Sequence, residues 1–224
     1  MRLLTERYRD QEPRWPRSGR VILAQFDADS VVVYQAYRPG VGRFAASHGY
    51  FGDGFSLARM SWIKPNFLWM MYRCGWGTKP EQETVLAVRL RRSAFDEILS
   101  QAVPSTFVPS LYLTQDDWRK AVAESSVRIQ WDPDHDPAGA KQERRAIQLG
   151  LRGQVLERYS RDWIVEIEDL TEFVGTQRAH VSARSWPELV TPLEDVYSIE
   201  DTVVARRLGL DEEQEVRDLN QGPR

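Results

Sequence analysis

The chain predicts an α+β fold: a single domain with a mixed or mostly antiparallel sheet and flanking helices. Three observations predict it. Runs rich in β-branched residues recur at strand length, at 21–26, 30–37, 84–91, 127–131 and 163–168. Segments with helical spacing lie between them, at 66–73, 93–101 and 114–124. The order of these segments is mixed rather than strictly βαβ, which separates α+β from a doubly wound sheet.

Residues 1–20 are polar, with Pro13 and Pro16 breaking any helix, and read as an arm laid over the domain. The runs at 21–26 and 30–37 flank Asp27-Ala28-Asp29, a turn sequence, and predict a hairpin. The second run is apolar on both faces and predicts a central strand. Residues 41–48 predict a short helix stopped by Gly49; Gly49, Gly52 and Gly54 then make a turn, and 56–62 a strand. Pro65 sits where a helix begins, and Phe67, Met70, Met71 and Cys74 share one helical face until Gly75 and Gly77 end it.

On the strand at 84–91, Val85, Ala87, Arg89 and Arg91 fall on one face and Leu86, Val88 and Leu90 on the other. Ser93 and Thr114 cap the next two helices. Residues 132–137 predict a polar loop, and 142–159 a helix with a break at Gly150 or Gly153. Asp169 caps a helix to about 177. The domain spans 21–178. After it, 179–210 predicts a wrapping segment without periodicity, and 211–224 a disordered acidic tail.

The 224 residues suit one domain, and 42% hydrophobic content supplies a core. A net charge of −3 excludes a strongly basic nucleic-acid coat and leaves only a local patch for such a partner. One cysteine, Cys74, excludes an intrachain disulfide and a cysteine-based zinc site. It lies in an aromatic run as a small buried filler. Neither a signal peptide nor a membrane span is expected, and with reduced Cys74 the reading is cytoplasmic.

The chemistry concentrates in 61–73. Trp62, Trp69 and Trp76 interleave with Lys64 and Arg73, and Arg89, Arg91 and Arg92 follow. Indoles stack rings and cations grip phosphate. The same pattern also describes a tryptophan-rich core under snorkelling cations. The central strand ends Tyr34-Gln35-Ala36-Tyr37-Arg38, where Arg38 serves either an anion or a surface salt bridge. Glu166 and Glu168 share a strand face. They suit a general base or a ribose holder, or an exposed edge paired with arginines. Asp132, Asp134, His135 and Asp136 have hard-ion ligand types, yet lack the glycine and closing glutamate of a calcium loop; a turn is favoured and no metal is predicted. Glu143, Arg144, Arg145 and Gln148 form a candidate polar helix face. Walker, Rossmann and Gly-x-Ser-x-Gly patterns are absent.

Several long blocks carry a resemblance: Ile22-Leu23-Ala24-Gln25-Phe26-Asp27, Val32-Val33-Tyr34-Gln35-Ala36-Tyr37-Arg38-Pro39, Ser61-Trp62-Ile63-Lys64-Pro65-Asn66-Phe67-Leu68-Trp69-Met70, Gln130-Trp131-Asp132-Pro133-Asp134-His135-Asp136-Pro137 and Arg145-Ala146-Ile147-Gln148-Leu149-Gly150-Leu151. Over about residues 15–200 the chain resembles domain-of-unknown-function family 4291, which brings no activity with it. A much weaker likeness is to the ADP-ribosyltransferase fold. There an Arg or His on an early strand, a Ser or Tyr on a later one and a Glu-bearing strand near the end follow in order, as Arg38, Ser61 and Glu166-x-Glu168 do here. That likeness implies Arg38, Ser61, Glu166 and Glu168 as catalytic groups and NAD as candidate substrate.

The resulting expectation is a transferase acting on a nucleotide-like substrate. Tyr34, Gln35, Trp62, Lys64, Trp69, Arg73, Arg89, Arg91, His135 and Gln148 would bind it. The alternative is a non-catalytic module that binds RNA or nucleotides through the same Trp/Arg/Lys surface.

Overall fold

The computed structural model describes residues 3–210. In chain order its elements are Thr5–Arg7 (β1), Tyr8–Gln11 (α1), Gly19–Arg20 (β2), Leu23–Ala24 (β3), Ser30–Tyr37 (β4), Pro39–His48 (α2), Ser61–Ile63 (β5), Phe67–Cys74 (α3), Thr84–Arg91 (β6), Arg92–Ser100 (α4) and Ala102–Pro104 (β7). Gln115–Glu124 (α5), Val127–His135 (β8), Lys141–Leu151 (β9), Gly153–Arg161 (α6), Ile164–Asp169 (β10), Thr171–Ser182 (α7), Val190–Pro192 (β11), Asp195–Val196 (β12) and Thr202–Leu208 (α8) complete them. The class is α+β, with mostly antiparallel pairing.

β4 ends the three-stranded order β10-β6-β4, with both faces apolar and isolated bridges covering its outer edge. β6 runs antiparallel along one edge, with Val32 opposite Arg89 and Tyr34 opposite Ala87, and β10 follows outside β6. On the other edge Tyr34 exchanges main-chain hydrogen bonds with Lys64, Tyr34 N to Lys64 O at 2.7 Å and Lys64 N to Tyr34 O at 3.3 Å. Lys64 directly follows β5, which pairs with β9 in a second sheet of β2, β5, β7, β8 and β9. One segment, 61–64, thus bridges the two sheets.

Burial follows the strand alternation. Val31, Val33, Leu86, Val88 and Leu90 enter one apolar cluster, which continues onto Ile129, Ile147, Leu149 and Leu151 of the second sheet. Val32, Tyr34, Val85 and Ala87 face the opposite cluster, where Phe67, Met71 and Cys74 of α3 pack. Each fully buried large side chain there contributes about 1.5–3 kcal/mol. Cys74 is buried in this layer, the filler its neighbours predict.

The predicted turn forms, with Asp27 Oδ1 accepting from Asp29 N and Ser30 N at 2.9 and 2.7 Å, but the hairpin is confined to 25–32, bridged at Phe26 and Val31, because β3 pairs with β12 instead of β4. Thr114 and Asp117 form a reciprocal capping box on α5. The strand expected over 56–62 is shorter and later, at Ser61–Ile63. Ser93 is not the cap of α4, which starts at Arg92 without a side-chain cap.

Two expectations fail together. Of residues 132–137 only Asp136 and Pro137 lie in a turn, 132–135 being strand, and 142–151 are not helical. β8 runs on through His135 despite Pro133, with a register shift between these residues, and β9 returns beside it. Arg144, Gln148 and the cations around them have high helix propensity, but Ile147, Leu149 and Leu151 alternate with Ala146, Gln148 and Gly150, a period of two. Cross-strand pairing overrides propensity here. The helix begins only after the break, as α6 at Gly153.

The arm is more than a cover. β1 pairs with β11, and Tyr8 and Trp15 are buried in the α3 layer. Residues 179–210 wrap the domain but keep periodic elements, among them the end of α7, β11, β12 and α8. The predicted acidic tail, 211–224, lies outside the described residues.

Candidate functional site

The bridge at 61–64 opens a cleft of about 510 Å³ between the two sheets, with α3 as one wall. Its position follows from local sequence. Asn66 caps α3 by accepting Trp69 N at 2.6 Å, and the buried Glu194 carboxylate accepts Phe67 N at 2.7 Å. Gly75, at φ 59°, ends the helix in the left-handed conformation. The helix so fixed presents Trp69, Met70 and Arg73 to the cleft.

The floor is the polar face of the β8–β9 hairpin. Gln130 and Gln148 are directly opposite in the register, and both hold Asp132: Gln130 Nε2 donates to Oδ1 at 2.8 Å and Gln148 Nε2 to Oδ2 at 2.6 Å. Trp62 comes from β5, opposite Gly150. A Cβ at Gly150 would sit 3.0 Å from the Trp62 ring and 2.5 Å from Met60 Sδ, so the indole needs a glycine beneath it.

At the end of β4, Ser61 Oγ accepts from Gln35 Nε2 at 2.8 Å and meets the Tyr37 hydroxyl at 2.9 Å. Tyr159 donates to Gln35 Oε1 at 2.6 Å, extending the chain into the core. Burial raises the phenols of Tyr37 and Tyr159 above their ordinary range, so both stay protonated. Neither group beside Ser61 Oγ is a base at neutral pH. Ser61 is a polar link in this chain rather than an activated nucleophile.

Lys64 is the exceptional group. Its side chain lines the cleft and is only 6% exposed, and Nζ donates to Trp62 O at 3.2 Å. Burial, reinforced by the Arg73 charge, lowers its pKa to about 7, with Asp132 opposing the shift. A lysine so placed is a neutral amine for much of the time near pH 7. Trp69 is 4% exposed, and its buried indole N–H has no partner among the described residues.

Of the sequence-predicted residues, the cleft gathers Gln35, Ser61, Trp62, Lys64, Trp69, Arg73 and Gln148. It does not gather Arg38, Glu166 or Glu168. Arg38 precedes α2 and its guanidinium lies by Gly54. Glu166 and Glu168 lie two strands from Lys64 on β10, Glu168 accepting Leu3 N at 3.3 Å and Glu166 standing 3.9 Å from Arg89. The residue order that suggested a catalytic trio is therefore not matched by a shared site.

Arg89 is buried outside the cleft, donating to Ser30 Oγ at 3.0 Å and standing 3.9 Å from both Asp27 and Glu166. Arg91 is exposed at the end of β6, and the Tyr34 ring is buried against Phe67. His135 is buried in a stack with Tyr72 and Trp69, behind the cleft wall, and burial lowers its pKa. Among the described residues no group of three or more His, Cys, Asp or Glu could hold a metal ion; Asp132 is engaged by two amides and Asp136 closes the hairpin turn.

Sequence reasoning missed Tyr37, Gln82, Gln130 and Asp132 as lining groups. For Gln130 and Asp132 the signal was present: they alternate along one strand, and a hairpin reading places Gln148 across from them. Among the described residues no helix is long and apolar enough to cross a membrane.

No curated protein matches the chain. The family model described as a domain of unknown function (DUF4291) matches residues 21–197, most of the chain, and the chain belongs to that family.

Proposed function

We propose that the protein is a transferase acting on a nucleotide-like substrate such as NAD, with Lys64 as proton acceptor. The observation that supports it most is a buried lysine of pKa about 7 in the same cleft as two indoles, an arginine and a carboxylate held by two amides. Trp62 offers a face to a heterocycle, and Trp69 backs the same wall. Arg73, exposed at the open end of α3, suits a phosphate. Gln130, Asp132 and Gln148 suit ribose hydroxyls. Neutral Lys64 accepts the proton of the attacking hydroxyl as the new bond to the ribose carbon forms and the leaving group departs with the old bond's electrons. In this reading the base is Lys64, not Glu168.

The test is calorimetric titration with NAD, mononucleotides and short RNA. The proposal expects NAD or a mononucleotide to bind, and about tenfold or greater weakening by Trp69→Ala or Arg73→Gln. Turnover, followed by mass spectrometry of the bound ligand with acceptor, should fall in Lys64→Met while binding persists. Binding without turnover under any acceptor condition favours the non-catalytic reading. No binding of any of these ligands overturns both.

A further inference from the structure

A second and larger cavity, about 1010 Å³, lies along the β8–β9 hairpin and shares Gln130 alone with the cleft lining. Its walls come from β8, β9, the loop after β7, and α8. Arg145, Arg206, Arg207, Arg20 and Trp131 line it, and no Asp or Glu lines it among the described residues. Strand alternation sets Trp131 and Arg145 on the face opposite Gln148, while Gln130 lines both hollows.

Main-chain carbonyls hold two of the guanidiniums. Arg207 Nη2 donates to Ser100 O at the end of α4, and Arg20 Nη1 to Gly209 O at 3.3 Å. For Arg207 these carbonyls orient the guanidinium without neutralising it. Arg207 Nε is buried and has no partner among the described residues. Trp131 is pinned by its own N–H to Leu208 O at 3.0 Å, leaving the ring half-buried as a wall. Arg20 and Arg206 hold further contacts and add charge to the same lining. Guanidiniums cannot discharge by losing a proton, and a concave wall focuses their field.

We infer that this cavity is a binding site for a multiply phosphorylated small ligand, separate from the cleft. Arg145 and Arg207 grip the phosphate oxygens, and Trp131 packs against the remainder of the ligand. The volume is that of a site for a ligand of nucleotide size. The inference stands apart from the proposed transferase reading, because none of these arginines lines the cleft.

The test is calorimetric titration of the full chain with pyrophosphate and with ATP, at low and at physiological salt. Arg145 is exposed, so Arg145→Gln should fold normally. It is expected to weaken pyrophosphate binding about tenfold, while Arg73→Gln in the cleft leaves it unchanged. Trp131→Phe should weaken ATP more than pyrophosphate. Equal affinity in wild type and Arg145→Gln overturns the inference. So does loss on Arg73→Gln, which would put the anion in the cleft. Acidic residues Asp211, Glu212 and Glu213 follow α8 in the sequence. If only the full chain carrying D211N, E212Q and E213Q bound pyrophosphate, the cavity's anion would be the chain's own and the inference would also fail.

Discussion

In the proposed reading Lys64 carries more of the chemistry than any other single residue. A folded pKa of about 7 against an ordinary 10.5 means that the unfolded chain binds more protons between those values. Stability therefore rises with pH across that window, and the full penalty of the buried ammonium is present below it. The slope from this group approaches about 1.4 kcal/mol per pH unit. Lys64→Met should be more stable than wild type at pH 6, with the gain shrinking towards pH 10; urea unfolding at several pH values measures it. A constant difference would mean that Lys64 is solvated. At this scale the sequence was partly legible. Clustering of Trp, Lys and Arg marked Trp62, Lys64, Trp69 and Arg73, which do line the cleft, although the same pattern also suits a core under snorkelling cations. Arg38, Glu166 and Glu168 misled because order along a chain does not state which strand lies next to which.

At the scale of elements, α3 shows how a helix end stores a pH response. Glu194 accepts Phe67 N inside the protein, and burial raises its pKa well above the usual carboxylate range. A carboxyl whose folded pKa is raised loses stability as pH climbs from its unfolded pKa through its folded one. Glu194→Gln keeps an acceptor oxygen without the charge. It should stabilise the fold at pH 8 relative to wild type and much less at pH 5, as thermal unfolding at both pH values would show; the reverse order would contradict the account. The β8–β9 hairpin teaches the complementary lesson. Its second strand was read as a helix because charged residues at 141–145 mask the alternation that follows, and the polar face of that strand is the cleft floor. Gly150 is its tightest point. Gly150→Ala should displace Trp62 and Met60 and weaken cleft ligands several-fold in calorimetric titration, with a modest loss of melting temperature. Unchanged affinity would remove Trp62 from the site.

Across the whole molecule, the arm, the hairpin and the wrapping segment lock together around one buried ion pair. Arg144 Nε lies 2.6 Å from Asp134 Oδ2, both almost fully buried, and the guanidinium also stands 5.2 Å from the Trp15 ring. Arg144→Ala strands Asp134 in the interior and should cost about 3–5 kcal/mol, read from chemical unfolding. A loss under about 1 kcal/mol would mean that water reaches the site. The fold class, the strand at 30–37 and the turn before it were legible because they rest on local periodicity. The seam that makes the cleft was not, since it depends on Tyr34 meeting Lys64 across two sheets, a pairing that no local pattern encodes.

The most direct measurement is competitive acetylation of Lys64 with acetic anhydride, read by mass spectrometry across pH, with and without saturating NAD or nucleotide. The account predicts a midpoint near pH 7 and strong protection when ligand is bound. A midpoint near that of exposed lysines, with no protection by any ligand, would contradict it.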